Sequence, residues 1–261
     1  MPALSRLLLP LLACATLLAP PAARAGAAPA ADPLQGASQL VVVTTADWQA
    51  NQGRLRTYER DERGQWHATG PGWPVAIGRK GSAWGDGLQP PSEDAPRKQE
   101  GDGRSPAGIF ALGTAFGYAP RIDSAMPYRQ MQADDWCMDV PGSPLYNRIV
   151  SAAQVGEAAV QGSSEAMRLD LHHDGDPRYR EGLVIEHNAA GVPGRGSCIF
   201  AHLWRKPGEA TAGCTAMDPA NMQRLLAWLQ PARQPRLVLL PAAEYRRYQQ
   251  AWQLPSGGAA P

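Results

Sequence analysis

Two residues in this chain have types and spacing that suit covalent chemistry: His202 and, twelve positions later, Cys214. Both lie in the stretch GSCIFAHLWRKPGEATAGCTAM, residues 196–217. A thiol becomes a strong nucleophile once an imidazole takes its proton, and attack on a carbonyl carbon then gives acyl transfer through a thioester. The apolar run Cys198 to His202 reads as a strand that delivers the imidazole to its end. The turn-rich KPGEATAG folds the chain back. Gly213 leaves the backbone before the cysteine free for an unusual conformation, and the N–H groups around Ala212 to Cys214 would face a developing oxyanion. Taken alone, the pair has a competing reading as a core cysteine and a strand-end histidine with no joint role.

The surrounding sequence weighs against that. The segment resembles the signature of the L,D-transpeptidase (YkuD-type) family, in which an upstream histidine precedes a Ser/Thr-His-Gly-Cys element. Thr211, Ala212, Gly213 and Cys214 occupy the element, and His202 is the upstream histidine. Ala212 replaces the commoner histidine, Thr-Ala-Met follows the cysteine, and the His–Cys spacing is short, which marks a divergent branch. KQEGDGRSPAGIFAL (98–112) is similar to the glycine-rich entry of that branch. MPYRQ (126–130), SPLYNRIV (143–150) and VIEHN (184–188) follow in the family's order.

The resemblance implies one mainly β domain with short helices (α+β), an L,D-transpeptidase-like β-sandwich or barrel spanning residues 38–241. It implies Cys214 as nucleophile, His202 as its acid–base partner, and a backbone carbonyl to orient the imidazole. Substrates would be peptidoglycan stem peptides, with carbapenem acylation of the thiol and no metal or other cofactor. Asn188, Tyr146 and Trp136 would line the substrate groove, with His187 and Asn147 as neighbours. Structural hydrogen bonds for Asn188 and core packing for the aromatics are the competing readings. Two other functions stay open: an L,D-carboxypeptidase or cross-link hydrolase on the same scaffold, in which water resolves the thioester, and a non-catalytic wall-binding module.

The elements that must position these residues follow from pattern. Residues 40–45, 54–60, 65–69 and 73–77 read as strands separated by turns, the rhythm of an antiparallel sheet. Residues 78–104 hold many glycines, prolines and charges and read as one long loop. Further strands are expected at 108–112, 183–186, 199–203 and 237–240. Asp218-Pro219 opens a helix with Met222, Leu225, Leu226 and Leu229 on one face. LHHDGD (171–176) reads as a hairpin turn centred on Asp174-Gly175 rather than a metal site, because adjacent histidines on a strand point to opposite faces. Residues 242–254 read as a C-terminal helix, within a final segment 242–261 that ends in a frayed tail.

Arg6, the apolar run 7–18 and Ala23-Arg24-Ala25 give residues 1–25 the pattern of a secretory signal peptide. The expected location is periplasmic or secreted. Leu11-Leu12-Ala13-Cys14 is a weaker lipobox alternative. An Ala/Pro-rich linker over 26–37 follows, and no later segment is apolar enough to cross a bilayer. Without residues 1–25, 23 basic side chains face 24 acidic ones. That balance argues against nucleic acid or an anionic membrane as the main partner. Export leaves Cys137, Cys198 and Cys214 in an oxidising compartment. An odd count suggests one free thiol. If Cys137 pairs with Cys198, that thiol is Cys214, and the other possibility is that Cys137 and Cys198 are buried and unpaired.

Overall fold

The computed structural model describes residues 32–90 and 96–259. The expected signal peptide and the start of the expected linker lie outside the described residues. In chain order the strands are β1 (Gln39–Thr45), β2 (Gln52–Arg60), β3 (Trp66–Ala68), β4 (Trp73–Ala76), β5 (Ser82–Trp84), β6 (Ser105–Gly117) and β7 (Tyr128–Gln130). They continue with β8 (Asp135–Cys137), β9 (Ile149–Ser151), β10 (Glu165–Ala166), β11 (Glu181–Ile185), β12 (Phe200–Leu203), β13 (Thr215–Met217) and β14 (Arg236–Pro241). The α-helices are α1 (Ala152–Val155), α2 (Glu157–Val160), α3 (Leu169–His172), α4 (Pro219–Trp228) and α5 (Ala242–Tyr248).

Strand pairing runs β1-β14-β6-β11-β12-β13-β4-β2, and β2 pairs back with β1, so these strands close into a ring. Closure leaves no unpaired edge in the ring and lets one face of each strand fill a common interior. The β-branched run of β1 is buried throughout, flanked by β14 on one side and β2 on the other. The fold is the mainly β architecture that the family resemblance implied.

Most neighbours in the ring are antiparallel, as the strand rhythm suggests. Two pairs are not: β1 with β14, and β12 with β13, are parallel. The second matters for chemistry. Residues 204–214 return the chain to the start of the sheet, and β13 runs alongside β12 in the same direction. Ala201, His202 and Leu203 face Thr215, Ala216 and Met217 across the ladder.

Alternation along β12 separates two layers. Ala201 and Leu203 belong to the main apolar core, with Leu183, Ile109, Leu237 and Met217. Phe200 belongs to a second cluster with Phe116, Met131, Cys137, Met167, Tyr179, Cys198 and Cys214. Period two places His202 on the same side as Phe200. This second layer is roofed by a small separate sheet, β10-β8-β9, drawn from the long excursion between β6 and β11. A Cys137–Cys198 disulfide ties that roof to the residue just before Ile199 and β12.

Helix α4 follows its sequence signals closely. The Asp218 side chain accepts from the Ala220 N–H at 2.9 Å, Pro219 opens the helix, and Met222, Leu225 and Leu226 are buried. Elsewhere the structure corrects the sequence reading. Residues 78–104 are not one uninterrupted loop, because β5 runs parallel to the start of β6, pairing Ser82 with Ser105 and Trp84 with Ala107. Three residues are too few to show a strand period. Leu34, placed in the linker, is fully buried in the main core. In LHHDGD the Asp174-Gly175 turn exists, with φ of 48° and 74°, but it follows the helical turn α3 rather than joining two strands. The last helix ends at Tyr248, not Leu254, and the following turns pack back. Leu254 is buried, Ala259 lies against the core, and the Tyr245 hydroxyl donates to the Pro255 carbonyl at 2.8 Å.

Candidate active site

Cys214 sits in the turn that leads into β13, and side-chain hydrogen bonds from Thr211 and Ser105 fix that turn. The Thr211 hydroxyl accepts from the Gly213 N–H at 3.1 Å and donates to the Cys214 carbonyl at 2.7 Å. The fully buried Ser105 hydroxyl donates to the Gly213 carbonyl at 2.6 Å and accepts from the Gly78 N–H at 2.9 Å. Ser105 comes from the glycine-rich block, so that block holds the turn in place. Gly213 is needed here for close approach, not for a left-handed backbone: its φ is not positive, and a Cβ would meet the Arg104 carbonyl oxygen at 3.0 Å. Thr211 already occupies its N–H, which leaves the Ala212 and Cys214 N–H groups as the donors of this turn.

Cys214 is the free cysteine among the described residues. Its Sγ accepts from the Phe200 N–H at 3.3 Å and lies 3.5 Å from the Cys198 carbonyl oxygen, which receives the thiol proton. Burial pushes the thiol up to about 12, with the Glu165 carboxylate adding to the shift and the Phe200 N–H opposing it. Its surroundings therefore favour the neutral thiol over the thiolate.

His202 is buried on the neighbouring strand, diagonal to Cys214 across the parallel ladder. Its Nδ1 meets the Leu203 carbonyl oxygen at 2.7 Å. A carbonyl only accepts, so Nδ1 carries the proton and Nε2 presents its lone pair. A backbone carbonyl therefore orients the imidazole. Desolvation holds the ring down to about 4, against the raising effect of that same hydrogen bond. Among the described residues no hydrogen bond joins Sγ to His202. The two groups stand on neighbouring strands, and desolvation pushes each toward its neutral form.

The other sequence candidates divide by their contacts. Asn188 is buried with φ of 50°; its amide donates to the carbonyls of Val192 and Gly196 and accepts from the Val192 N–H, all within 3.0 Å. Its polar groups hold the loop 188–196. It also lines a cavity of about 510 Å³ beside Leu88 and Val192. His187 accepts at Nδ1 from the Asp86 N–H and meets the Arg195 carbonyl with Nε2. The buried Tyr146 donates to Glu100, which also accepts from Ser197 at 2.6 Å. Trp136 packs in the small sheet, its ring 5.1 Å from that of His172. Asn147 ties these parts together: it donates to the carbonyls of His187 and Asn188 and accepts from the Cys198 N–H at 2.9 Å. Lys98, Asp102 and Arg104 shape the glycine-rich loop, with Lys98 Nζ 2.6 Å from Asp102 and Arg104 donating to the Ser82 carbonyl.

A cavity of about 370 Å³ opens between the ring and the roof. Phe116, Val184, Phe200, Cys137, Arg129 and Glu186 are among the residues that line it. The backbone N–H of the lining residue Phe200 holds the Cys214 sulfur, while neither Cys214 nor His202 is itself among the lining residues of this cavity.

Sequence reasoning passed over two residues beside the pair. Tyr179 stands edge-on to His202 with ring centroids 5.2 Å apart, and its hydroxyl donates to Glu165 Oε1 at 2.6 Å. No spacing rule links positions 165, 179, 202 and 214, so the sequence carried no signal for them. Among the described residues no group of three or more His, Cys, Asp or Glu is arranged to hold a metal ion, and no helix is long and apolar enough to cross a membrane.

Comparison with protein-family models matches residues 41–238 to YkuD, the L,D-transpeptidase catalytic domain. No curated protein and no solved structure matches the chain.

Proposed function

The chain belongs to the L,D-transpeptidase catalytic-domain family, and from that premise we propose that it is a cysteine acyltransferase cross-linking peptidoglycan stem peptides, with Cys214 as nucleophile and His202 as its acid–base partner. One observation carries the assignment. The Leu203 carbonyl fixes the His202 tautomer so that Nε2 is the free base, on the strand adjacent to the free thiol.

The chemistry starts from the neutral pair. Sγ gives its proton to Nε2 as it attacks the carbonyl of the donor stem's diamino acid. A C–S bond forms, and the oxyanion is met by the Ala212 and Cys214 N–H groups. The C–N bond to the terminal D-residue then breaks, and the imidazolium protonates the departing amine. The amine of a second stem attacks the thioester, and sulfur leaves and recovers a proton through His202. Because thiol and imidazole are both desolvated, a negative thiolate is costly until substrate supplies the carbonyl. This arrangement limits idle reactivity of the thiol. We assign the stem to the cavity lined by Phe116, Val184 and Phe200. The expected signal peptide would place the enzyme in the periplasm, where its substrate lies.

Incubation with peptidoglycan sacculi followed by muropeptide analysis tests the reading. The wild type should yield new cross-linked dimers. Cys214→Ala should yield none while remaining folded, because a small side chain fits the turn. Activity retained in that variant would remove Cys214 as nucleophile. Trimmed monomers without dimers would indicate an L,D-carboxypeptidase. A thiol that does not acylate with a carbapenem, as read by intact mass, would indicate a wall-binding module.

A further inference from the structure

Glu165 is a carboxyl that acts electrostatically on the Cys214 thiol and that the acylation chemistry does not use. It lies on β10, the edge strand of the roof, opposite Cys137 on β8. Cys137 is bonded to Cys198, whose carbonyl receives the Cys214 thiol. From the other side, Tyr179 donates to Glu165 Oε1 at 2.6 Å while its ring stands edge-on to His202 at 5.2 Å and to Phe200 at 5.5 Å. Two separate chains of contact therefore link the carboxyl to the surroundings of the thiol–imidazole pair, and it acts electrostatically on Cys214.

It has no cationic partner there. Arg178, which follows in the chain and acts on Glu165 electrostatically, is ion-paired with Asp176 at 2.8 Å. Among the described residues no Lys, Arg or His forms an ion pair with Glu165. A carboxyl held out of water with a single hydroxyl donor is costly unless something charged meets it. The residue nevertheless keeps part of its surface open.

We propose that Glu165 receives the ammonium group of the acceptor stem and takes its proton, directing the Cys214 thioester toward aminolysis rather than hydrolysis. This rests on the acyltransferase reading above. The steps balance as follows. The ammonium gives one proton to the Glu165 carboxylate and becomes a free amine. The amine attacks the thioester carbonyl, a C–N bond forms and the C–S bond breaks. The surplus proton on nitrogen passes to His202 Nε2 and from there to the leaving thiolate, and Glu165 releases its proton to solvent. Water carries no charge for Glu165 to recognise, so the carboxylate discriminates between the two acceptors.

The electrostatics support this role. Burial raises Glu165 to about 7, with the Asp139 and Glu100 carboxylates adding to the rise and the Tyr179 hydroxyl and Arg178 opposing it. A proton acceptor near neutrality is well matched to an amine at neutral pH.

The test separates acylation from acceptor choice. Purified wild type, Glu165→Gln, Glu165→Asp and Tyr179→Phe proteins are given, in separate reactions, either a carbapenem or a disaccharide-tetrapeptide muropeptide that serves as donor and acceptor. Glu165→Gln should acylate at the wild-type rate within about twofold and still release the terminal D-residue. Its ratio of dimer to trimmed monomer should fall about tenfold or more, the scale of one charged hydrogen bond. Glu165→Asp, which keeps the charge, should hold a ratio closer to wild type. Tyr179→Phe, which keeps the carboxylate and the ring against His202, should still make dimers. An unchanged ratio in Glu165→Gln overturns the proposal, as does a wild type that acylates but makes no dimers. Slowed acylation in Glu165→Gln would overturn it too, showing that Glu165 acts on the thiol pair instead. A wild type that does not acylate at all would instead refute the acyltransferase reading itself.

Discussion

The disulfide should matter both for stability and for catalysis, and the two effects can be measured apart. Cys137 and Cys198 are separated by 61 positions in the chain. Closing a loop of that size restricts the unfolded chain by up to about 4 kcal/mol, less any native strain. Both residues are buried, so removing their sulfurs also opens a small void in the second apolar layer. For a domain of this size each kcal/mol shifts the melting temperature by about 2–4 °C, so Cys137→Ala/Cys198→Ala should melt roughly 8–15 °C lower. The chemical effect has a different origin. The Cys198 carbonyl receives the Cys214 thiol, and the Cys198 N–H is held by Asn147. Without the bridge this carbonyl loses its tether to β8, and carbapenem acylation should become slower and more variable at temperatures well below melting. The assays are calorimetry under non-reducing conditions, acylation followed by intact mass, and thiol counting in the denatured, non-reduced protein lacking residues 1–25. One reactive thiol is expected. Three reactive thiols, or a double variant that melts within about 2 °C of wild type, would refute the argument.

Three further outcomes follow from the site. The His202 ring is held down to about 4 and the Cys214 thiol is pushed up to about 12, so acylation should stay level from about pH 5 to 9 and fall only as His202 gains its proton near 4; an apparent pKa between 6 and 8 in the acylation rate would instead indicate an ion pair. Thr211→Val removes the hydroxyl that both accepts from Gly213 and donates to Cys214, which should cost about 1–3 kcal/mol by chemical denaturation and slow acylation far more than it weakens donor binding, and a normal rate would show that the turn holds its shape without the clamp. Asn188→Ala should lose about 2–4 kcal/mol of stability, because three hydrogen bonds and a left-handed backbone position are involved; a purely kinetic defect with normal melting would return Asn188 to the substrate groove.

The parts of this molecule that were legible in the sequence are those with a local signature. The apolar run into His202 reads as a strand because four apolar side chains precede a polar one, and α4 reads as a helix because Asp218, Pro219 and the spacing of Met222, Leu225 and Leu226 all say so. The glycine-flanked Cys214 was visible for the same reason. What was not legible depends on partners far away in the chain. The parallel pairing of β12 with β13 leaves no trace in either strand, since a three-residue segment such as Thr215–Met217 looks the same in either orientation. The roof strands are equally short, and the bridge that ties their sheet to Cys198 joins residues 61 positions apart. The sequence left open whether Tyr146 and Asn188 serve the groove or the framework, because polar and aromatic side chains serve both recognition and internal bonding. Here their polar atoms are committed to Glu100 and to the loop 188–196.

The parallel pairing of β12 with β13 also separates geometry from chain length. His202 stands where it does relative to Cys214 because Ala201 is in register with Thr215 and His202 with Ala216. The intervening residues 204–210 close the loop without setting that register. Residues inserted at Lys206-Pro207-Gly208, which lie away from the Thr211 clamp, should be absorbed as a longer surface excursion at small entropic cost, since loop closure grows only slowly with length. One residue inserted inside β12 would turn His202 toward the main core and Leu203 toward the thiol. The interval between histidine and cysteine is therefore free to drift, while the parity of each strand is not. A short spacing here and a longer one in another chain can describe the same pair of side chains, and a search for such sites does better to fix the two strand ends than the distance between them.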